Sequence, residues 1–247
     1  MLEGNEAAVI GISSAKGGVG KTTLVANLGC ALAQISKSDV LLVDGNFHAA
    51  NLALHFGISR APAVLQDVVL GKKEVEEALV PLGGNLWILP SAPMFFREVW
   101  KDIDLTRIQD MFKKLKRHYN VILLDTVAGA GIEPMAALNM CDKVIAITTP
   151  HLPAVSATLW TIFVAKRLNI PIMGLILNRC RGRRYELTPA EIQKETGIPV
   201  IGVIPDDEFV LEGTRNGVPV VRGGEKSPAA EEIVKLAKRL QTNLVPI

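Results

Sequence analysis

Nine consecutive residues, Ala15-Lys16-Gly17-Gly18-Val19-Gly20-Lys21-Thr22-Thr23, have types suited to holding a chain of phosphates. Glycines let successive backbone N–H groups converge on an anion, and the start of a following helix adds partial positive charge. Lys21 is placed to reach the outer phosphates and the Thr22 hydroxyl to ligate Mg²⁺. The generic phosphate loop opens on glycine; here that position is Ala15. On the near side, Ala8 to Ile12 is an apolar, β-branched run that reads as a buried strand. On the far side, Leu24, Leu28, Ala31, Leu32 and Ile35 recur at helical spacing. Strand, glycine loop and helix are the context a phosphate cradle needs. A glycine-rich turn that binds nothing has no use for Lys21-Thr22 or for a second lysine at 16.

A second group able to do chemistry closes another apolar strand. Val121 to Leu124 ends in Asp125, the position of a carboxylate that holds the shell of a Mg²⁺ ion. An aspartate there can also cap the next element, and it is the phosphate loop that favours the metal.

The segment Lys16 to Thr23 resembles the deviant Walker A motif of the MinD/ParA family of ATPases. The motif is very specific, and further matches extend the likeness, strongest to MinD-like proteins, over nearly the whole chain. In that family the early lysine, here Lys16, reaches across a dimer interface to the partner's nucleotide. Val121 to Gly129 is similar to the family's second acidic motif, with Val127 in place of the usual proline. Asp44-Gly45-Asn46-Phe47-His48-Ala49-Ala50-Asn51-Leu52 resembles the first switch region. The usual reading there is Asp-x-Asp, whose second acid orients the attacking water. Asn46 stands in that place, Asp44 is expected near the Mg²⁺ waters, and Asn51 matches a family asparagine. His48 reads as a solvated loop histidine. Leu177-Asn178-Arg179 and Ile204-Pro205-Asp206-Asp207 resemble the two loops that hold adenine. Asn178 can offer a donor and an acceptor to a purine edge, and Pro205 to Asp207 would present mostly backbone. The guanine-reading Asn/Thr-Lys-x-Asp pattern is absent, which favours adenine.

The resemblance implies an α/β P-loop ATPase using ATP/ADP and Mg²⁺. Phosphate and base would be held by Lys16, Gly17, Gly18, Val19, Gly20, Lys21, Thr22, Thr23, Asn178, Arg179, Pro205, Asp206 and Asp207. Thr22, Asp44 and Asp125 would hold the metal, and Lys16, Lys21 and Asn46 would serve catalysis. ATP would drive two copies together, slow hydrolysis would release them, and the output would be spatial: a division site or a cargo, with a protein activator or cargo as partner. The alternative is an adaptor that closes on ATP and hardly turns it over, because Asn46 is no carboxylate. Relatives that carry an iron–sulfur cluster or soft metal need a cysteine pair, which Cys30, Cys141 and Cys180 do not suggest.

The 247-residue chain can bury a large core, and no Pro/Gly/Ser linker, repeat or low-complexity run divides it, so a single domain over residues 1–247 is expected. A formal charge of +2 argues for no polyanion by itself. The basic run Arg179, Arg181, Arg183 and Arg184, beside Tyr185, could meet nucleic acid, lipid or a partner. A solvated loop with Arg179 turned to nucleotide is the favoured reading. Three scattered cysteines suit a reducing cytosol. The polar N-terminus lacks an apolar signal core. Val144 to Ala165 has no charged side chain, yet Pro150 and Pro153 interrupt it, so it reads as strand, loop and helix rather than a membrane span. The last helix looks core-packing and the tail Asn243 to Ile247 too short for a lipid-binding one, so weak or no membrane binding is expected, at most peripheral.

Further strands are expected at 40–43, 86–89, 144–147, 172–177 and 200–204. Helices are expected at 52–56, 64–70, 74–79, 105–117, 154–168, 189–195, 207–215 and from Ser227-Pro228 to about Thr242. Such alternation predicts a doubly wound, mostly parallel twisted sheet with helices on both faces. Asp44, Asp125, Asn178 and Asp206 then meet at the carboxyl ends of the strands, where such sheets bind ligands.

Overall fold

Aliphatic runs with few charges build the sheet, because a parallel strand is covered on both faces. The computed structural model describes residues 7–36, 38–47, 49–92, 105–223 and 226–244. The strands are β1 (Ala8–Ser13), β2 (Val40–Asp44), β3 (Val80–Pro81), β4 (Leu86–Leu89), β5 (Val121–Asp125), β6 (Lys143–Thr148), β7 (Ile172–Cys180) and β8 (Val200–Pro205). Their order across the sheet is β3-β4-β2-β5-β1-β6-β7-β8. All pairs are parallel except β3–β4 at the edge.

The helices are α1 (Lys21–Ser36), α2 (Leu65–Val69), α3 (Val75–Ala78), α4 (Leu105–His118), α5 (Ile132–Asn139), α6 (Leu152–Arg167), α7 (Pro189–Thr196), α8 (Glu208–Asn216) and α9 (Pro228–Leu244). Residues alternate along the strands between the two faces of the sheet. Ile10, Ile12, Leu42 and Leu123 face a core shared with Leu28 and Leu32 of α1 and with Ile233, Leu236 and Leu240 of α9. Val9, Leu41, Val43, Ile122 and Leu124 face Ile108, Met111, Phe112 and Leu115 of α4. Each fully buried leucine or isoleucine contributes about 1.5–3 kcal/mol. α1 is buried from Leu24 through Leu32 on every side, since the sheet and α9 sandwich it. α9 starts as expected: the Ser227 hydroxyl accepts from the Ala230 N–H at 3.0 Å, with Pro228 next.

The doubly wound sheet is the one predicted, and 144–165 is β6 followed by α6. The two-residue edge strand β3 was not foreseen, and other details differ. Residues 52–56 form a 3-10 turn, Ala53–Phe56, rather than an α-helix. α6 begins at Leu152, with Pro153 in its first turn where no N–H is needed. β7 continues three residues past Leu177, so Asn178 and Arg179 lie inside the strand, at an irregularity in its pairing with β8. α5 was not foreseen. Among the described residues no helix is long and apolar enough to cross a membrane.

Candidate nucleotide and metal site

The loop from Ser14 to Gly20 leaves β1 and runs into α1. Gly18 and Gly20 have φ of +76° and +97°, a region that strains any side chain. A Cβ at Gly20 would also run into the Asn178 amide. That amide donates to the Val19 carbonyl at 2.8 Å, so β7 anchors the loop that β1 delivers. Lys16, Gly17 and Gly18 are exposed, Thr22 and Thr23 half-buried, and Val19 buried.

Below the loop, β2 and β5 run in register with Asp44 opposite Asp125, which sets two buried carboxylates side by side. Asp44 accepts backbone N–H groups from Asn46 (3.0 Å), Asn51 (3.1 Å) and Leu52 (3.1 Å). Burial nevertheless raises its pKa to about 6. Asp125 is fully buried and neither of its oxygens has a hydrogen-bond partner among the described residues. Burial first, and then the Asp44 charge, push its pKa up; the Thr22 hydroxyl and the Lys21 ammonium oppose that rise. Lys21 is 8 % exposed, and burial lowers its pKa against the attraction of Asp125.

A buried carboxylate without a partner costs several kcal/mol unless it is neutralised. Hard oxygen donors next to a phosphate cradle suit Mg²⁺. The residues fit that ion: Thr22 and Asp125 would hold it, directly or through its waters, with Asp44 behind them. When bound, it supplies charge neutralisation to the phosphates.

The loop after β2 hangs from this acid pair. The Gly45 N–H donates to the Asp125 carbonyl at 2.9 Å, and a Cβ at Gly45 would stand 2.8 Å from that oxygen. The Asn46 amide is spent on the loop itself: Oδ1 accepts from the Ala49 N–H at 3.2 Å, and Nδ2 donates to the Ala49 carbonyl at 3.3 Å. His48 lies outside the described residues. Asn51 is exposed, and its carbonyl sits 3.2 Å from Nδ1 of His55, whose Nε2 is 3.3 Å from the Thr23 hydroxyl. His55 was missed in the sequence; a histidine four residues past Asn51 carries no signal until the turn brings it back to α1.

Gly20, Thr23, His55, Asn178, Arg179 and Pro205 line one cleft beside the cradle. Arg179 has φ of +58°, a costly conformation that recurs at ligand sites. Asp206 accepts from Arg181 Nε at 2.7 Å. Asp207 caps α8 through the Phe209 N–H (3.0 Å), and its other oxygen takes the Ser227 hydroxyl (2.6 Å) and the Ala229 N–H (3.1 Å) at the start of α9. Both carboxylates therefore serve the fold. At the far end of α8, Gly217 abuts Gly57, which closes the 3-10 turn; their φ values are +68° and +70°. The arginine-rich loop is exposed and folds around Glu186, which accepts from the N–H groups of Arg181 and Arg183. Tyr185 there stacks on His151, with ring centroids 6.1 Å apart.

Comparison with known proteins agrees with this geometry. The profile of the family described as "CobQ/CobB/MinD/ParA nucleotide binding domain" matches residues 10–220. The septum site-determining protein MinD of Thermotoga maritima is 33 % identical over 248 residues, covering 97 % of this chain and 90 % of that protein. The crystal structure of the Pyrococcus furiosus cell division ATPase MinD superposes with a TM-score of 0.88 at 32 % identity, covering 96 % of this chain and 99 % of its own. MinD of Pyrococcus horikoshii, solved in complex with Mg-ADP, also gives 0.88, at 33 % identity, covering 96 % of this chain and 97 % of its own.

Proposed function

The chain belongs to the CobQ/CobB/MinD/ParA family of nucleotide-binding domains, and on that premise we propose that it is a single-domain ATP switch of the MinD/ParA type. It binds ATP with Mg²⁺, pairs face to face with a second copy, hydrolyses slowly and separates. The observation that carries this reading is the fully buried Asp125, whose oxygens make no hydrogen bond of ordinary geometry among the described residues, beside Lys21 and Thr22 at the root of the glycine loop. Such a site is incomplete without a cation and its phosphates. The Mg-ADP bound to the Pyrococcus horikoshii relative supports the adenine nucleotide.

Chemistry in this site is positioning and charge neutralisation. Lys21 sits in the cradle and Lys16 stands exposed on the loop, free to reach a facing subunit's nucleotide. The output is location, at a division site or on a cargo, as the names of the MinD relatives suggest, and a protein activator or cargo reads the dimer. Free thiols at Cys30, Cys141 and Cys180 suit a cytoplasmic protein, at most peripheral at a membrane. Nucleic acid is a less favoured partner for the arginine loop. A second reading, an ATP-dependent adaptor with negligible hydrolysis, is favoured by the Asn46 amide being closed on Ala49.

Lys16→Ala tests the dimer. The variant should still bind Mg·ATP yet remain monomeric where the wild type dimerises on adding a non-hydrolysable analogue, as followed by light scattering. Identical traces, both monomeric or both dimeric, would sink the cross-subunit role.

A further inference from the structure

Among the described residues, the nucleotide reading leaves one buried polar side chain lining the cleft without a task. His55 is 7 % exposed and belongs to the 3-10 turn that follows the loop suspended from Asp44. It touches two segments. Nδ1 faces the Asn51 carbonyl and Nε2 the Thr23 hydroxyl, in the first turn of α1. Both His55 and Thr23 line the cleft beside the cradle.

The partners dictate the protonation. A carbonyl can only accept, so Nδ1 carries a proton. Burial disfavours the charged ring and lowers its pKa, so the imidazole is neutral and Nε2 is an acceptor. The Thr23 hydroxyl must then donate to it. A hydroxyl has one proton to give. A nucleotide phosphate arriving at Thr23 presents oxygens that also only accept, and they compete with Nε2 for that proton. Thr23 can serve the ring or the phosphate, not both.

Resting on the nucleotide reading above, we propose that His55 is a positioning residue: a strut between the loop of Asn46 and the phosphate cradle, engaged through Thr23 in the empty site and released when phosphate claims the Thr23 proton. Occupancy of the cradle is thereby reported to the loop that faces the reacting end of the nucleotide, through a single hydrogen bond that changes hands.

The test uses the full chain labelled with ¹⁵N-histidine and read by long-range ¹H–¹⁵N correlation. His55 is assigned among the four histidines by its loss in His55→Asn. The nucleotide-free protein should show His55 as the Nδ1–H tautomer, and saturating Mg·ADP should move Nε2 to the position of an acceptor without a hydrogen bond. His55→Asn keeps a donor for the Asn51 carbonyl but cannot reach Thr23, so it removes the competitor. Mg·ADP should bind it about threefold more tightly than wild type. His55→Gln restores an acceptor towards Thr23 and should stay within twofold of wild type. An Nε2–H tautomer, an unmoved resonance at saturation, or equal weakening of Mg·ADP in both variants overturns the strut. Failure of wild type to bind Mg·ADP overturns the nucleotide reading itself, whereas binding with an Nε2–H tautomer or an unmoved resonance overturns the strut alone.

Discussion

Lys21→Ala is expected to weaken Mg·ATP binding at least tenfold. The Lys21 ammonium would make charge-assisted contacts to the phosphates, each worth about 1.5–3 kcal/mol, and one of them alone already reaches about tenfold. Burial sharpens the effect, because Lys21 is nearly enclosed and little water is available to replace it at the phosphates. The same substitution removes the cation that opposes the rise of the Asp125 pKa. The empty variant can answer by keeping a proton on Asp125, so the fold survives. Titration calorimetry at fixed Mg²⁺, paired with a thermal unfolding scan, separates the two effects. Unchanged affinity in a folded variant removes the phosphate-loop assignment.

Asn46→Asp is expected to raise steady-state phosphate release tenfold or more under dimerising conditions. An amide is a far poorer proton acceptor than a carboxylate, and a positioned general base typically contributes on the order of a hundredfold. The structure adds a reason for the wild type to be slow. Both ends of the Asn46 amide are closed on the Ala49 backbone. An aspartate there keeps acceptance from the Ala49 N–H but has nothing to donate to the Ala49 carbonyl, so the carboxylate is pushed out of that turn. The wild-type ATP dimer should accordingly be long-lived. If Asn46→Asp is no faster while His48→Ala abolishes activity, the loop works by another arrangement and this account of Asn46 is wrong.

What could be read from the sequence was carried by neighbours in the chain. The cradle is one run of residues, and Asp125 closes a run of four aliphatics, so both declared themselves. The parallel strands did likewise, because burial on both faces demands uninterrupted aliphatic runs, whereas the half-exposed edge strand β3 carries no such run. What could not be read depends on residues far apart. The bond from Asn178 to Val19 spans 159 positions. The capture of Asp44 by the Asn51 and Leu52 amides depends on how the intervening loop turns back. Asp207 lies in the loop expected to offer its backbone to the base, and the task of its carboxylate, joining the starts of α8 and α9, could not be read from the sequence. α5 escaped because it is apolar nearly all round. Ile132, 84 % exposed, and Met135 face outward while Pro134, Ala137 and Leu138 are buried, so no polar face sets off the apolar one. β7 resumes at Cys180 in spite of the left-handed Arg179, at an irregularity in its pairing with β8 that nothing in the local sequence announces.

The meeting of Gly57 and Gly217 leaves a mark that evolution should have kept. Both positions require the left-handed conformation, which asparagine tolerates better than other side chains. Their surroundings are unequal. A Cβ on Gly57 would find only the Gly217 carbonyl oxygen, at an ordinary 3.7 Å, whereas a Cβ on Gly217 would press to 2.6 Å on the Gly57 Cα. Drift is therefore open at one position and closed at the other. Among lineages that keep α8 seated against this turn, asparagine should recur at 57 and be purged at 217. Where 217 has lost its glycine, the helix must have moved, and with it the wall of the cleft that Val210, Leu211 and Thr214 line.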